Sequence, residues 1–273
     1  MQIKPAPVID PSQSILLMET GEDHLFFGTM NQANRQIEQA WFYKQDSASE
    51  EDLAENIFLK HPFLQGSFYQ AIISYNYPQS LFVPADFFKQ ENAATMLENM
   101  YGKDGEVMLV TEQIVESEMV NIYHVPANKY EWMNHHFTSA KFWHTYSVGI
   151  KNLLMLPGES SQLIIRFSPQ KIIFSAFKNN TVQLVQSYDY ETPDDVLFHA
   201  LKITSLLGIL QQEVRVTLEG LIDEQSAVYK KLHEYFSHLS FARLPDNIRL
   251  HKTFDQSPVH FFSTLFKLAA CVS

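Results

Sequence analysis

The residues best suited to chemistry are a carboxylate and a glycine two positions apart, Glu19 and Gly21, which follow a short apolar run. A carboxylate can hold a metal ion, and a glycine lets backbone N–H groups approach a phosphate that a Cβ would obstruct. A second glycine of interest, Gly220, follows the apolar residues Val216 and Leu218. Glu19, Gly21 and Gly220 are therefore the candidates for binding a phosphorylated cofactor.

Other chemistry finds little support. His233 and His238 are five residues apart, whereas the helical zinc motif needs histidines four apart on one face. Cys271 is the single cysteine, which excludes an internal disulfide and a cysteine-based zinc site. The sequence contains neither a Walker loop nor a dinucleotide fingerprint. We therefore expect no catalytic residue, no metal and no cofactor.

Composition narrows the classes of partner. The 273 residues are 45% hydrophobic, with a formal net charge of −11 and a pI near 5.4. An acidic chain repels phosphate backbones, which argues against nucleic acid as a partner. Its apolar runs are much shorter than the roughly 20 residues that span a bilayer, and no signal-peptide pattern is visible. The sequence therefore predicts a cytoplasmic protein without a membrane span.

The first half of the chain begins with three strands. Apolar runs separated by turn residues predict a meander within residues 15–44, and a helix capped within Ser49–Asp52 follows it. Further periodic segments predict strands at 69–75, 81–83, 107–114, 119–125 and 140–144, and helices at 86–101, 128–137 and 147–156.

The second half begins in the same way, after the linker sequence at 157–160. Strands are predicted at 162–167, 171–177 and 182–190. Thr192, Pro193 and Asp195 then form a capping box for a helix that ends at Gly208. A strand at 214–218, a helix capped by Asp223, a strand at 238–243 and a helix at 258–268 complete the pattern.

Both halves therefore run strand-strand-strand-helix-strand-helix, with extra elements in the first. This order predicts an α/β protein of two tandem ribonuclease H-like subdomains, which is the actin-like ATPase architecture. We expect the subdomains to span residues 1–157 and 158–273, with the two meanders in separate, similar sheets.

Four stretches, in the same order along nearly the whole chain, carry a family resemblance. They are residues 74–84 (SYNYPQSLFVP), 121–126 (NIYHVP), 188–198 (YDYETPDDVLF) and 216–220 (VTLEG). Together they resemble an uncharacterised bacterial family, found mainly in Bacteroidetes, that has an actin-like ATPase fold. The resemblance implies the fold, which is shared with cytoplasmic scaffold parts of type II secretion and type IV pilus machines. It implies no biochemical activity.

An ATPase of this fold needs three parts in the cleft between its halves: a carboxylate- and glycine-containing hairpin in each half and a Gly-Gly loop after a late strand. In the first hairpin, Glu22 and Asp23 place negative charge beside Gly21, where phosphate should lie. The second hairpin, 166–171, has neither carboxylate nor glycine and contains Pro169, which has no N–H to donate. The late loop keeps only Gly220.

The leading hypothesis is therefore a non-enzymatic scaffold or partner-binding protein, a degenerate actin-like ATPase with a protein partner. The alternative is an active ATP-binding protein that uses Glu19 and Gly21. A third class, a two-metal ribonuclease H-like enzyme, needs clustered carboxylates that Glu19 lacks in the sequence.

Overall fold

The computed structural model describes residues 9–45, 53–103, 105–154, 161–168 and 171–272. The chain divides into two compact units. The first consists of Met1–Lys151, Asp246–Gln256 and Leu265–Ser273, and the second of Asn152–Pro245 and Ser257–Thr264. The division expected from the sequence placed everything after residue 157 in the second unit.

The first unit contains a six-stranded mixed sheet in the order β14-β3-β2-β1-β4-β8. Its strands are β1 (Ser14–Gly21), β2 (His24–Asn31), β3 (Gln36–Lys44), β4 (Gln70–Asn76), β8 (Lys141–His144) and β14 (Arg249–Leu250). The meander β1-β2-β3 is antiparallel, and β4 lies parallel to β1 with Glu19 opposite Ser74. The central strand β1 is buried along almost its whole length, so a polar residue on it needs partners inside the unit.

A smaller antiparallel sheet in the first unit has the order β5-β7-β6. It consists of β5 (Ser80–Pro84), β6 (Val107–Ile114) and β7 (Met119–Pro126). Helix α2 (Ala93–Tyr101) packs on one face through Ala93 and Leu97, over Val83, Val120 and Ile122. Helices α1 (Leu53–Lys60) and α3 (Ala127–His136) also lie in this unit. It contains α4 (Thr145–Leu154) as far as Lys151 and α7 (Ser263–Ala270) from Leu265 onward.

The second unit contains a five-stranded sheet in the order β11-β10-β9-β12-β13. Its strands are β9 (Gln162–Phe167), β10 (Lys171–Lys178), β11 (Thr181–Asp189), β12 (Arg215–Gly220) and β13 (His238–Phe241), and its helices are α5 (Pro193–Leu206) and α6 (Ala227–Tyr235). The antiparallel meander is followed by parallel strands, as in the first unit. The prediction of two meanders in separate sheets is confirmed.

Several predicted boundaries are wrong for local reasons. Helix α2 begins at Ala93 rather than residue 86, because Phe88 and Lys89 adopt extended backbone between two short 3-10 turns. Helix α6 is capped by Ser226, whereas Asp223 accepts the Gln225 N–H in the turn before it. The predicted cap at Ser49–Asp52 and the linker at 157–160 lie outside the described residues.

The C-terminal part of the chain also returns to the first unit. Residues Arg249 and Leu250 pair with Gln36 and Ile37 as β14, a strand that sequence patterns did not predict. The Arg35 guanidinium donates to the Ala269 carbonyl at 2.8 Å. These contacts explain why Asp246–Gln256 and Leu265–Ser273 belong to the first unit.

The capping box at the start of α5 is present as predicted. The Asp195 N–H donates to Thr192 Oγ1, and the Asp195 carboxylate accepts the Thr192 N–H at 2.8 Å. Thr192→Ala should lower the free energy of unfolding by about 1 kcal/mol, because one helix N–H loses its partner. Urea denaturation measures the loss. Thr192→Ser, which keeps the hydroxyl, is the control, and an equal loss in both variants would contradict the capping role.

Candidate functional site

The carboxylate of Glu19 is buried and enclosed by polar side chains of its own unit. The residue lies near the end of β1 and is 2% exposed. Oε2 accepts the Thr145 hydroxyl at 2.7 Å, and Oε1 lies 3.1 Å from His24 Nε2 and 3.4 Å from Asn76 Nδ2. Both carboxylate oxygens are therefore engaged within the protein.

His24 is held between two carboxylates. Its Nδ1 lies 2.9 Å from Asp23 Oδ1 and its Nε2 3.1 Å from Glu19 Oε1, and its ring stacks on Phe42. Burial lowers the pKa of His24, but its hydrogen bonds to Asp23 and Glu19 and their charges outweigh burial and raise that pKa. The hydrogen bond to His24 also lowers the pKa of Asp23. This arrangement favours a protonated imidazole that neutralises Glu19.

Gly21 lies directly under this histidine. A Cβ on Gly21 would lie 2.5 Å from His24 Cε1, which is closer than real contacts allow. The space that the glycine leaves is therefore occupied by an imidazole ring. Because that ring covers Gly21 and is anchored by Glu19, the first hairpin uses its glycine for packing within the protein.

The start of helix α4 connects Glu19 to a second buried carboxylate, Glu112. Thr145, the first residue of α4, donates to Glu19, while the backbone N–H of His144 donates to Glu112 Oε2 at 2.7 Å. On Asn121, Oδ1 accepts the Ser80 hydroxyl and Nδ2 donates to the Ser147 hydroxyl oxygen. The N-terminal end of a helix favours negative charge, and here the protein's own carboxylates lie beside it.

Glu112 lies in a strongly perturbed environment. Burial raises the pKa of Glu112 to about 7. The His144 N–H, the Ser147 hydroxyl and the charge of Lys151 each lower this pKa without offsetting burial. One oxygen, Oε1, is buried without a hydrogen-bond partner. At neutral pH this carboxyl group is therefore divided between its neutral and charged forms.

The second hairpin is only partly described, since Pro169 and Gln170 lie outside the described residues. At its start, Arg166 on β9 and Glu219 on β12 are both buried and lie opposite each other in the parallel register. The backbone N–H of Ser168 donates to the Lys171 carbonyl, which closes the hairpin.

Gly220 ends β12 against the backbone of β9. Its φ of +74° is in the left-handed region, and a Cβ would lie 2.2 Å from the Phe167 carbonyl oxygen. The next residue, Leu221, donates its N–H to that same oxygen at 2.9 Å. The glycine is therefore required by the close approach of two strands of the second unit.

The structure thus brings Glu19 and Gly21 together in the first unit and places Gly220 in the second. Among the described residues, no group of three or more His, Cys, Asp or Glu could hold a metal ion. None of the helices in the described ranges combines the length and apolar character that crossing a bilayer requires.

Sequence reasoning missed His24, Thr145 and Glu112 as members of this polar cluster. A histidine beside the Gly21 turn and a carboxylate inside a predicted strand were the available signals. Only the tertiary structure, however, places Thr145 and Glu112 at the start of α4 beside Glu19.

Comparison with solved structures supports the fold. A Bacteroides thetaiotaomicron protein with an actin-like ATPase fold and unknown function matches with a TM-score of 0.79 at 16% identity, covering 95% of this chain and 98% of that one. A chain of the PilM–PilN type IV pilus biogenesis complex matches with a TM-score of 0.62 at 10% identity, over 96% and 99%. This protein therefore has the actin-like ATPase fold, as the element order predicted.

No curated protein sequence matches this chain. A family model described as "Protein of unknown function (DUF3822)" matches residues 7–239. That range covers most of the chain, and the family's uncharacterised status agrees with the resemblance seen in the sequence. The chain belongs to the DUF3822 family of proteins of unknown function.

Proposed function

We propose that this protein is a non-enzymatic, cytoplasmic scaffold that binds a protein partner on a degenerate actin-like ATPase fold. The observation that carries the proposal is the engagement of Glu19. Thr145 and His24 contact its two oxygens, so a metal ion or phosphate would have to displace the protein's own hydrogen bonds.

The surroundings of Gly21 support the same conclusion. A phosphate cradle needs backbone N–H groups that a ligand can reach. Here the imidazole of His24 lies where a Cβ on Gly21 would be. Asp23, whose charge would repel a phosphate, is paired with that imidazole.

Gly220 supports the proposal from the second unit. The Phe167 carbonyl oxygen lies too close to this residue to allow a Cβ, and it also accepts the Leu221 N–H. The absence of a side chain at this position therefore has an explanation that needs no nucleotide.

The partner-binding part of the proposal draws on the structural comparisons. One solved neighbour belongs to a complex, the PilM–PilN type IV pilus biogenesis complex. At 10% identity this likeness supports a shared fold, and it does not identify the partner of this protein.

A titration with ATP and magnesium tests the proposal. We expect neither heat in calorimetry nor a thermal shift at millimolar nucleotide, because both oxygens of Glu19 are engaged and Gly21 is covered. A dissociation constant below about 1 mM corresponds to a binding free energy of more than about 4 kcal/mol, and such binding would contradict the proposal.

The alternative function, ATP binding through Glu19 and Gly21, predicts a different pattern. Such binding would be lost in Gly21→Val and kept in Gly105→Val, since a Cβ on Gly105 meets nothing within 4 Å. Circular dichroism of both variants checks that each one folds. That pattern would replace the scaffold proposal with the alternative.

A further inference from the structure

Strand β6 is a long, open edge of the small sheet. It is eight residues long and pairs only with β7 among the described strands. An unpaired edge presents N–H and C=O groups to which another strand can bind. Such an edge either has features that prevent pairing with another chain or binds a partner.

The ladder shows which backbone groups face outward. The Ala127 N–H donates to the Glu106 carbonyl, so these two residues form a hydrogen-bonded pair. From this pair onward, non-hydrogen-bonded and hydrogen-bonded pairs alternate along β6 and β7. Because backbone groups alternate in direction along a strand, Val107, Leu109, Thr111 and Gln113 point their N–H and C=O away from β7. No backbone hydrogen bond of these four residues reaches another described element.

Each of the other described sheet edges is short, ends in proline or has an irregular register, and β6 has none of these three features. Strands β8 and β13 have four residues and β14 has two, while the five-residue β5 ends in Pro84. The long edge β11 has a register irregularity opposite Phe177. Short length, proline and bulges all discourage strand addition. Strand β6 is long and regular in register, and it contains neither proline nor lysine.

The stretch of chain that contains β6 is acidic, which favours a basic partner. Residues 80–119 contain eight acidic and two basic residues, and so carry −6 of the formal −11. Six of these acidic residues are exposed: Asp86, Glu91, Glu98, Glu106, Glu116 and Glu118. A second copy of the chain would bring the same negative charge to the contact, and nucleic acid would be repelled as well.

Apolar side chains beside the edge add a second requirement. Leu109 is half-buried against the small core under α2, and Met108 is 37% exposed on the opposite face of the strand. An added strand would place its own side chains next to both residues. Apolar residues of that strand would extend the small core.

From these observations we propose that β6 accepts a strand from a partner protein, an extended segment that alternates apolar and basic residues. This inference rests on the proposed partner-binding function and names the surface that would serve it. Its test contains no nucleotide. A failed peptide experiment and a positive ATP titration therefore overturn different claims.

The test uses a labelled nine-residue peptide of alternating valine and lysine, with a valine–glutamate peptide of the same length for comparison. Fluorescence anisotropy should show at least tenfold tighter binding of the lysine peptide to the full chain. Hydrogen exchange should slow at the outward amides of Leu109, Thr111 and Gln113 when that peptide is bound.

Thr111→Pro removes one outward N–H and leaves the hydrogen bonds to β7 intact, since proline is tolerated where an edge N–H faces solvent. It should weaken the lysine peptide at least tenfold, whereas Thr111→Val, which keeps the N–H, should bind like wild type. Glu106→Lys should weaken binding severalfold without touching the strand.

No binding of the lysine peptide would overturn the proposal. Equal binding by Thr111→Pro and Thr111→Val would do the same, because it indicates attraction to charge without strand pairing. A concentration-dependent dimer that Thr111→Pro abolishes would also overturn it, by assigning the edge to a second copy of the chain.

Discussion

Gly220→Ala should lower the free energy of unfolding by about 3 kcal/mol or more. A left-handed backbone costs a non-glycine residue about 1–3 kcal/mol, and here the added Cβ would also lie 2.2 Å from the Phe167 carbonyl oxygen. Relief requires β9 and β12 to separate at a point where Leu221 also bonds to Phe167. Urea denaturation followed by circular dichroism measures the loss.

Gly208→Ala is the matched control in the same unit. Gly208 also has a positive φ, of +61°, but a Cβ there approaches nothing closer than Lys178 Nζ at 3.8 Å. It should therefore cost only about 1 kcal/mol, from backbone strain. If both variants lost equal stability, the contact with Phe167 would not explain Gly220, and the case for a ligand beside this glycine would improve.

Much of the fold was predictable because its signals are local. The apolar runs at 15–44 and 162–190 and the Thr192–Asp195 box depend on neighbours in sequence, and the structure contains both. On α6, the helical spacing that continues from Val228 and Leu232 predicts an inward-facing Tyr235, but this residue is 47% exposed. Strand β14 is only two residues long and is defined by its pairing with β3, 213 positions earlier along the chain. A strand this short has no alternating pattern from which it could be predicted.

The sequence identified some residues of the candidate site but could not predict how they are arranged. Residue types identified Glu19, Gly21 and Gly220, but their environments depend on contacts between distant segments. Thr145 is 126 residues from Glu19, and Glu112 is 32 residues from His144. The sequence could indicate a carboxylate beside a glycine, whereas only the fold places a hydroxyl and an imidazole around it.

The stability of the protein should fall as the pH rises from about 4.5 to about 7, in part because of Glu112. Its pKa is raised from 4.5 to about 7 in the folded protein. Between these values the unfolded chain has already lost the proton that the folded protein retains, so increasing pH favours unfolding. The contribution of Glu112 to this loss is about 3 kcal/mol, and it is constant above pH 7.

Glu112→Gln isolates this contribution from that of His24, whose raised pKa also makes stability decline at higher pH. The amide oxygen of glutamine can still accept the His144 N–H but carries no charge. The free energy of unfolding of the variant, relative to that of wild type, should increase by about 3 kcal/mol from pH 4.5 to pH 8. Urea denaturation across that range measures this change. Glu118→Gln removes an exposed carboxylate from the small-sheet region and controls for net charge. A wild-type–Glu112→Gln difference that is independent of pH would show that folding does not raise the pKa of this carboxyl group, with His144 and Lys151 compensating its burial.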